Sequence, residues 1–118
     1  MGSRIFVSGA PKNYLELVAP LPQGVRFVHQ IDDETDIAHI FTARKAELAD
    51  VLRASVTTLK PDGIIWVSWP KKTSKVQTDV TEDTVRDIAL PLGLVDIKVC
   101  ALDNLWSGLK LVWRKQNR

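Results

Sequence analysis

Three lysines fall within five positions, Lys71, Lys72 and Lys75, with Thr73 and Ser74 between them, a cluster of hydrogen-bond donors. Ammonium and hydroxyl groups at that spacing could clamp a phosphate, a nucleotide or a nucleic-acid backbone. They follow Ile64-Ile65-Trp66-Val67-Ser68-Trp69, an apolar run of strand length. The carboxyl ends of strands in open α/β sheets are where ligands bind. An ordinary solvated loop has the same composition, so both readings stay open. Ser8, Gly9 and Ala10 close an earlier apolar run at the equivalent edge, where their backbone groups could approach a ligand. Thr42 ends a third such run and also suits a helix N-cap. The candidate ligand-binding edge is therefore Ser8, Gly9, Ala10, Thr42, Lys71, Lys72 and Lys75.

The other reactive side chains point to structure more than to catalysis. His29 and His39 have no partner nearby in sequence, and His39 lies inside the apolar run Ile37–Phe41. Cys100 falls within Ile97–Leu102 and reads as a packed strand residue. One cysteine and two separated histidines give no zinc-type spacing. Asp32, Asp33, Glu34 and Asp36 could hold a hard cation, but four acids in five residues also describe a solvated turn. Neither a phosphate-loop motif nor a nucleophile elbow is present.

The elements that must position these residues follow from periodicity and punctuation. Arg4–Ser8 is a short, β-branched run that reads as a parallel strand. A helix is expected from about Lys12 to Ala19, stopped by Pro20 and Pro22, and Gly24 turns the chain into a second strand, Val25–His29. Ile37–Phe41 is the third strand. Leu48, Leu52, Val56 and Leu59 then mark one face of a helix, with Lys60 in its last turn and Pro61-Asp62-Gly63 ending it. Ile64–Trp69, the most apolar run, reads as a central strand. Thr81 with Glu82 and Asp83 starts a third helix, whose stripe is Val85, Ile88, Ala89 and Leu92; Pro91 ends or kinks it and Gly93 suits the cap. Val95–Leu102 and Lys110–Arg114 form an antiparallel hairpin, with Gly108 free to take positive φ in its turn.

The chain of 118 residues carries 45% hydrophobic and 25% charged side chains, the composition of one ordinary globular domain spanning 1–118. Its formal charge of +2 falls short of the cationic field that commits a small domain to nucleic acid. No apolar run approaches the ~20 residues of a membrane span, and no signal peptide is visible. A lone cysteine suits a reducing, cytoplasmic setting.

The order of elements resembles a class I methyltransferase-type Rossmann fold with pieces missing. Ile37–Phe41, a helix, and then Leu59-Lys60-Pro61-Asp62-Gly63-Ile64-Ile65-Trp66-Val67 is similar to the strand–helix–LKPGG–strand stretch of those enzymes. Gly93-Leu94-Val95-Asp96 leading into a hairpin is similar to their last two strands. The whole chain more closely resembles a family of small bacterial proteins known only as a domain of unknown function. The residues that carry this are Trp66-Val67-Ser68-Trp69-Pro70-Lys71-Lys72, Leu94-Val95-Asp96-Ile97-Lys98-Val99-Cys100 and Trp106-Ser107-Gly108-Leu109-Lys110. The resemblance implies a mostly parallel, six-stranded open sheet of order 2-1-3-4-6-5, its last strand antiparallel, with three main helices. It also implies S-adenosylmethionine as cofactor, and here the sequence departs. The turn after the first strand, Ser8-Gly9-Ala10-Pro11, has one glycine. The end of the second strand reads His29-Gln30 where such enzymes place a ribose-binding acid. These departures argue against the cofactor, so none is expected.

That topology makes an arithmetic demand. The link Gln30–Asp36 must return about 10 Å sideways and ~15 Å along the strands. Seven extended residues reach at most about 25 Å, so the link can hold no helix. Right-handed crossovers put the first helix on one face and the later two on the other, which leaves the first face bare under strands 3, 4 and 6. Four tryptophans add apolar surface of the kind found at interfaces. The expectation is a non-catalytic, oligomerising or partner-binding module, a homodimer or a hetero-complex formed through that face. A minimal methyltransferase completed across a dimer, or a small anion binder, remains an alternative.

Overall fold

The computed structural model describes residues 4–9, 24–28, 30–59, 62–71, 77–101 and 105–113. The strands are β1 (Arg4–Ser8), β2 (Arg26–Val28), β3 (Ile37–Phe41), β4 (Ile64–Pro70), β5 (Leu94–Ala101) and β6 (Trp106–Trp113). They make one sheet of order β2-β1-β3-β4-β6-β5. The first four pair in parallel, and β6 runs antiparallel between β4 and β5. This is the expected α/β topology. The described helices are α1 (Lys45–Thr58) and α2 (Glu82–Ala89), followed by a 3-10 turn at Leu90–Leu92. Two α-helices are thus seen among the described residues instead of three; the helix expected at Lys12–Ala19 lies outside them.

Strand alternation sorts the sheet into two faces. Ala38, Ile40, Ile65, Val67, Leu109 and Leu111 are all buried and pack with Leu48 and Leu52 of α1 and Val85 and Ala89 of α2. Both helices therefore cover the same face. Ile31, in the link between β2 and β3, packs on that cluster too. A right-handed return from β2 to β3 should run on the α1 side, and it does. The opposite face is built from Ile5, Val7, Ile37, His39, Phe41, Ile64, Trp66, Ser68 and the alternate residues of β6.

The link closes on itself without a helix. Thr35 N–H donates to the Asp32 carbonyl at 3.1 Å. The Asp32 carboxylate accepts from Glu34 N–H at 2.9 Å and from the Thr35 hydroxyl at 3.0 Å. In return, Asp32 N–H donates to Thr35 Oγ1 at 3.0 Å, which explains why Thr35 is fully buried. The far end is fastened to the start of β1. Asp36 N–H donates to the Arg4 carbonyl at 2.9 Å, and Arg4 N–H donates to Asp36 Oδ2 at 2.8 Å. The Arg4 guanidinium adds ion pairs to Glu34 at 3.1 Å and Asp32 at 3.7 Å.

Several local expectations need correction. α1 starts at Lys45 with Arg44 in the N-cap position; Thr42 instead accepts from Arg44 N–H at 3.1 Å, a side-chain turn that delays the helix. α1 ends at Thr58, before Lys60, which lies outside the described residues. β6 begins at Trp106, four residues before the expected Lys110, so Gly108 sits in the strand and not in a turn, and its φ is not positive. A Cβ on Gly108 would make ordinary contacts, at 3.5 Å, with the Trp66 ring and Ser68 Oγ, so that indole lies over this glycine. The start of α2 is as expected. Thr81 Oγ1 accepts from Thr84 N–H at 3.2 Å, and Gly93 takes φ 94° after the 3-10 turn. Arg86 then pins α2 to β5 through Asp96, at 3.0 Å, and also pairs with Glu82 and Asp83.

Two substitutions test this packing by urea unfolding. Leu52→Ala, at a fully buried site, should lower stability by about 2–5 kcal/mol. Thr81→Ala should lose about 1 kcal/mol, the cost of one helix cap.

Candidate functional site

The residues of the candidate edge that can be placed do gather at the carboxyl ends of β1, β3 and β4. Ser8 pairs with Ile40, and Gly9 turns at φ 68° against the end of β3, where a Cβ would run into the Phe41 carbonyl oxygen. Thr42 is buried and its N–H donates to the Ser68 carbonyl at 3.1 Å, joining β3 to β4. Lys71 leaves β4 half-buried, with its N–H donating to the Leu105 carbonyl at 2.7 Å. Ala10, Lys72 and Lys75 lie outside the described residues, as does His29. Backbone hydrogen bonding thus occupies the amides of Thr42 and Lys71, and Gly9 is required by a close approach of two strands.

Sequence inspection passed over the polar cleft beside this edge. It measures about 430 Å³ and is lined by Ala43, Arg44, Gln77, Thr78 and Asp79. The segment before α2 is strapped across the β3–α1 turn: Thr78 Oγ1 and Asp79 N–H both donate to the Ala43 carbonyl, at 2.9 and 3.2 Å. The Asp79 carboxylate accepts from Lys45 N–H at 2.6 Å. The first amide of α1, which a phosphate would seek, already faces a carboxylate supplied by the chain itself. Only the proximity of residues 43–44 and 77–79 in the fold brings this cleft together, and no local motif announces it.

The cofactor implied by the methyltransferase resemblance needs an acid at the carboxyl end of β2. Among the described residues no carboxylate stands there; Gln30 follows, exposed. Asp32, Glu34 and Asp36 are drawn to Arg4 at the amino-terminal edge, the opposite end of the strands. Asp32 titrates below the ordinary aspartate range, chiefly because Glu34 N–H and then the Thr35 hydroxyl bond its carboxylate. The described residues therefore do not fit the ribose of that cofactor.

On the face without a described helix, the carboxyl half is closed by its own aromatic side chains. His39 stacks on Phe41 with ring centres 4.3 Å apart, and Trp106 meets Phe41 edge-on at 5.0 Å. Nε2 of His39 shares a 3.0 Å hydrogen bond with Ser68 Oγ, and both residues are buried. That pairing explains a histidine inside an apolar strand. The bare area is smaller than the topology alone suggests, because Ile5, His39, Phe41, Ser68 and Pro70 are buried; Val7, Ile37, Ile64, Trp66, Lys110 and Val112 are half-buried.

Two experiments probe this geometry. Gly9→Ala should destabilise by at least roughly 1–2 kcal/mol through its left-handed φ, and more through the clash with Phe41. Gly108→Ala, meeting only ordinary contacts, should lose less. Burial pushes the His39 imidazole down from 6.5 to about 4, so it stays neutral in the folded chain. Below pH 6.5 the unfolded chain takes a proton that the folded one refuses until about pH 4, and stability falls across that window. The fall attributable to His39 is about 3 kcal/mol at most. A His39→Phe/Ser68→Ala double variant should flatten that part of the pH profile, and an unchanged slope would contradict the assignment.

The fold has solved counterparts. A putative type 11 methyltransferase from Sulfolobus solfataricus is 12% identical, with a TM-score of 0.62 over 97% of this chain and 85% of its own. A SAM-dependent methyltransferase from Aquifex aeolicus is 12% identical, with a TM-score of 0.59 over 92% and 81%. The fibrillarin pre-rRNA processing protein of Methanococcus jannaschii is 11% identical, with a TM-score of 0.60 over 95% and 66%. At such identities the likeness is one of fold alone: a Rossmann-like, methyltransferase-like α/β sheet. No helix among the described residues is long and apolar enough to cross a membrane. Among curated proteins no match to the sequence is found. The family model described as "Protein of unknown function (DUF3052)" matches residues 25–115, and the chain belongs to that family.

Proposed function

We propose that this chain is a non-catalytic, methyltransferase-like domain that works as a binding module, docking a partner or a second copy through the sheet face that carries no described helix. The observation behind the reading is the clamp at Arg4. It holds Asp32, Glu34 and Asp36 at the amino-terminal edge, away from where a nucleoside ribose would need an acid. The cleft at the other edge points the same way, since its own Asp79 occupies the start of α1. Among the described residues the fold is a scaffold with two helices on one face and none on the other. Parallel strands that are apolar on both sides seldom leave one side to water.

Titration calorimetry separates this module from an enzyme. S-adenosylmethionine and its homocysteine product should give no heat of binding at millimolar ligand; a saturable, one-to-one heat would overturn the reading. Sedimentation at micromolar protein decides between the two occupants. A species heavier than 13.2 kDa is expected if the face closes on a second copy, and a clean monomer leaves the hetero-partner.

A further inference from the structure

Strand β5 breaks its own alternation in a way that the fold does not require. Asp96 stands opposite Leu111, but Lys98 stands opposite Lys110, so two residues of β5 oppose one step of β6 and Ile97 is a bulge. Without the bulge Asp96 and Lys98 would share a face. With it, Asp96 points to the helix side, where Arg86 bonds it at 3.0 Å, and Lys98 is re-aimed to the other side. There it meets Lys110 directly across the strands. Like charges so placed destabilise a sheet. Among the described residues neither lysine makes an ion pair, and no aspartate or glutamate of the strands lies on that face.

The same cross-strand row continues from Lys110 to Trp66, whose ring lies over Gly108. Val95 and Val112, opposite one another in the next row, are half-buried. Beside Lys98, Ile97 in the bulge is 54% exposed among the described residues. The patch thus offers two unneutralised ammonium groups, a half-buried indole and small apolar side chains.

We propose that this face of β4, β6 and β5 docks an acidic segment of a partner protein, with carboxylates on Lys98 and Lys110 and an apolar side chain against Trp66. This rests on the binding-module reading and names the partner's chemistry. Charge complementarity selects an acidic occupant, since a carboxylate between the two lysines relieves their repulsion. The patch favours protein over nucleic acid, because two lysines on a largely apolar ground, with acidic α2 on the other side of the sheet, make no continuous phosphate track. A further copy of the chain is disfavoured as the occupant. Its densest acidic run, Asp32–Asp36, is held by Arg4, and docking that run onto β5 would be a head-to-tail contact that need not close.

A fluorescein-labelled, extended peptide alternating valine and glutamate is the probe, with its lysine counterpart as control, followed by anisotropy at low and high salt. The glutamate peptide should bind, the lysine peptide should not, and added salt should weaken the complex. Lys98→Glu/Lys110→Glu should weaken binding about tenfold or more and confer binding of the lysine peptide. Lys98→Gln alone, at an exposed position, should give an intermediate loss if the double variant folds poorly. Equal binding of both peptides, or of wild type and the Lys98→Gln variant, would overturn the proposal. So would tighter binding of a single-stranded oligonucleotide of equal charge that displaces the peptide. These outcomes are independent of the calorimetry: heat with S-adenosylmethionine would sink the non-catalytic reading and leave the lysine patch standing, and a failed peptide titration would do the reverse.

Discussion

The eight residues between β2 and β3 constrain everything else. They must cross beneath β1 and begin a new parallel strand at the opposite edge, with no length to spare for a helix. The chain meets that demand with a self-bonded Asp32–Thr35 turn and a clasp in which Asp36 N–H donates to the Arg4 carbonyl and Arg4 N–H to the Asp36 carboxylate. Two consequences follow. The acids of the link become structural ligands of an arginine at the amino-terminal edge, and the crossover adds only Ile31 to one face and nothing to the other. Among the described residues, no acid of this link stands at the carboxyl end of β2.

The two faces of the sheet have diverged accordingly. One is a conventional core in which Leu48, Leu52, Val85 and Ala89 cover four strands. The other is closed locally, by His39, Phe41 and Trp106 around a single buried hydroxyl. Desolvation keeps His39 neutral, so this cluster adds no charge to the face. Among the described residues the face takes its charge from Lys110, placed by the alternation of β6, and from Lys98, which the bulge in β5 turns toward it while Asp96 goes to Arg86. A like-charged pair and a disrupted ladder both cost stability, and their combination beside Trp66 is better understood as a surface built for an acidic occupant than as an accident of packing.

Much of this was legible in the sequence because it depends on local rules. The succession of strands and helices followed from apolar runs and breakers, and the order of the sheet from the resemblance to a methyltransferase-type fold. The α2 cap at Thr81 and the stop at Pro91-Leu92-Gly93 followed from side-chain chemistry. The ban on a helix in the link followed from length alone. What the sequence hid depends on residues far apart in the chain. Thr42 looked like an N-cap, but its hydroxyl is taken by a turn one step earlier. Gly108 looked like a turn residue, but it lies inside β6 beside Trp66 and Ser68, which belong to another strand. The cleft walls at 43–44 and 77–79 meet only in three dimensions. The face of Lys98 depends on a bulge that hydrophobic alternation cannot reveal, and His39 gained its meaning only from Ser68.

The anchoring of the link can be read directly from the carboxyl carbon of Asp32 by NMR, followed through an acid titration with and without S-adenosylmethionine. An aspartate held by Glu34 N–H, Thr35 and Arg4 at the amino-terminal edge should titrate below 3.8 and ignore the added nucleoside. A carboxyl that titrates as a free aspartate, and whose resonance moves when the nucleoside is added, would place Asp32 at the other end of the strands and undo the account.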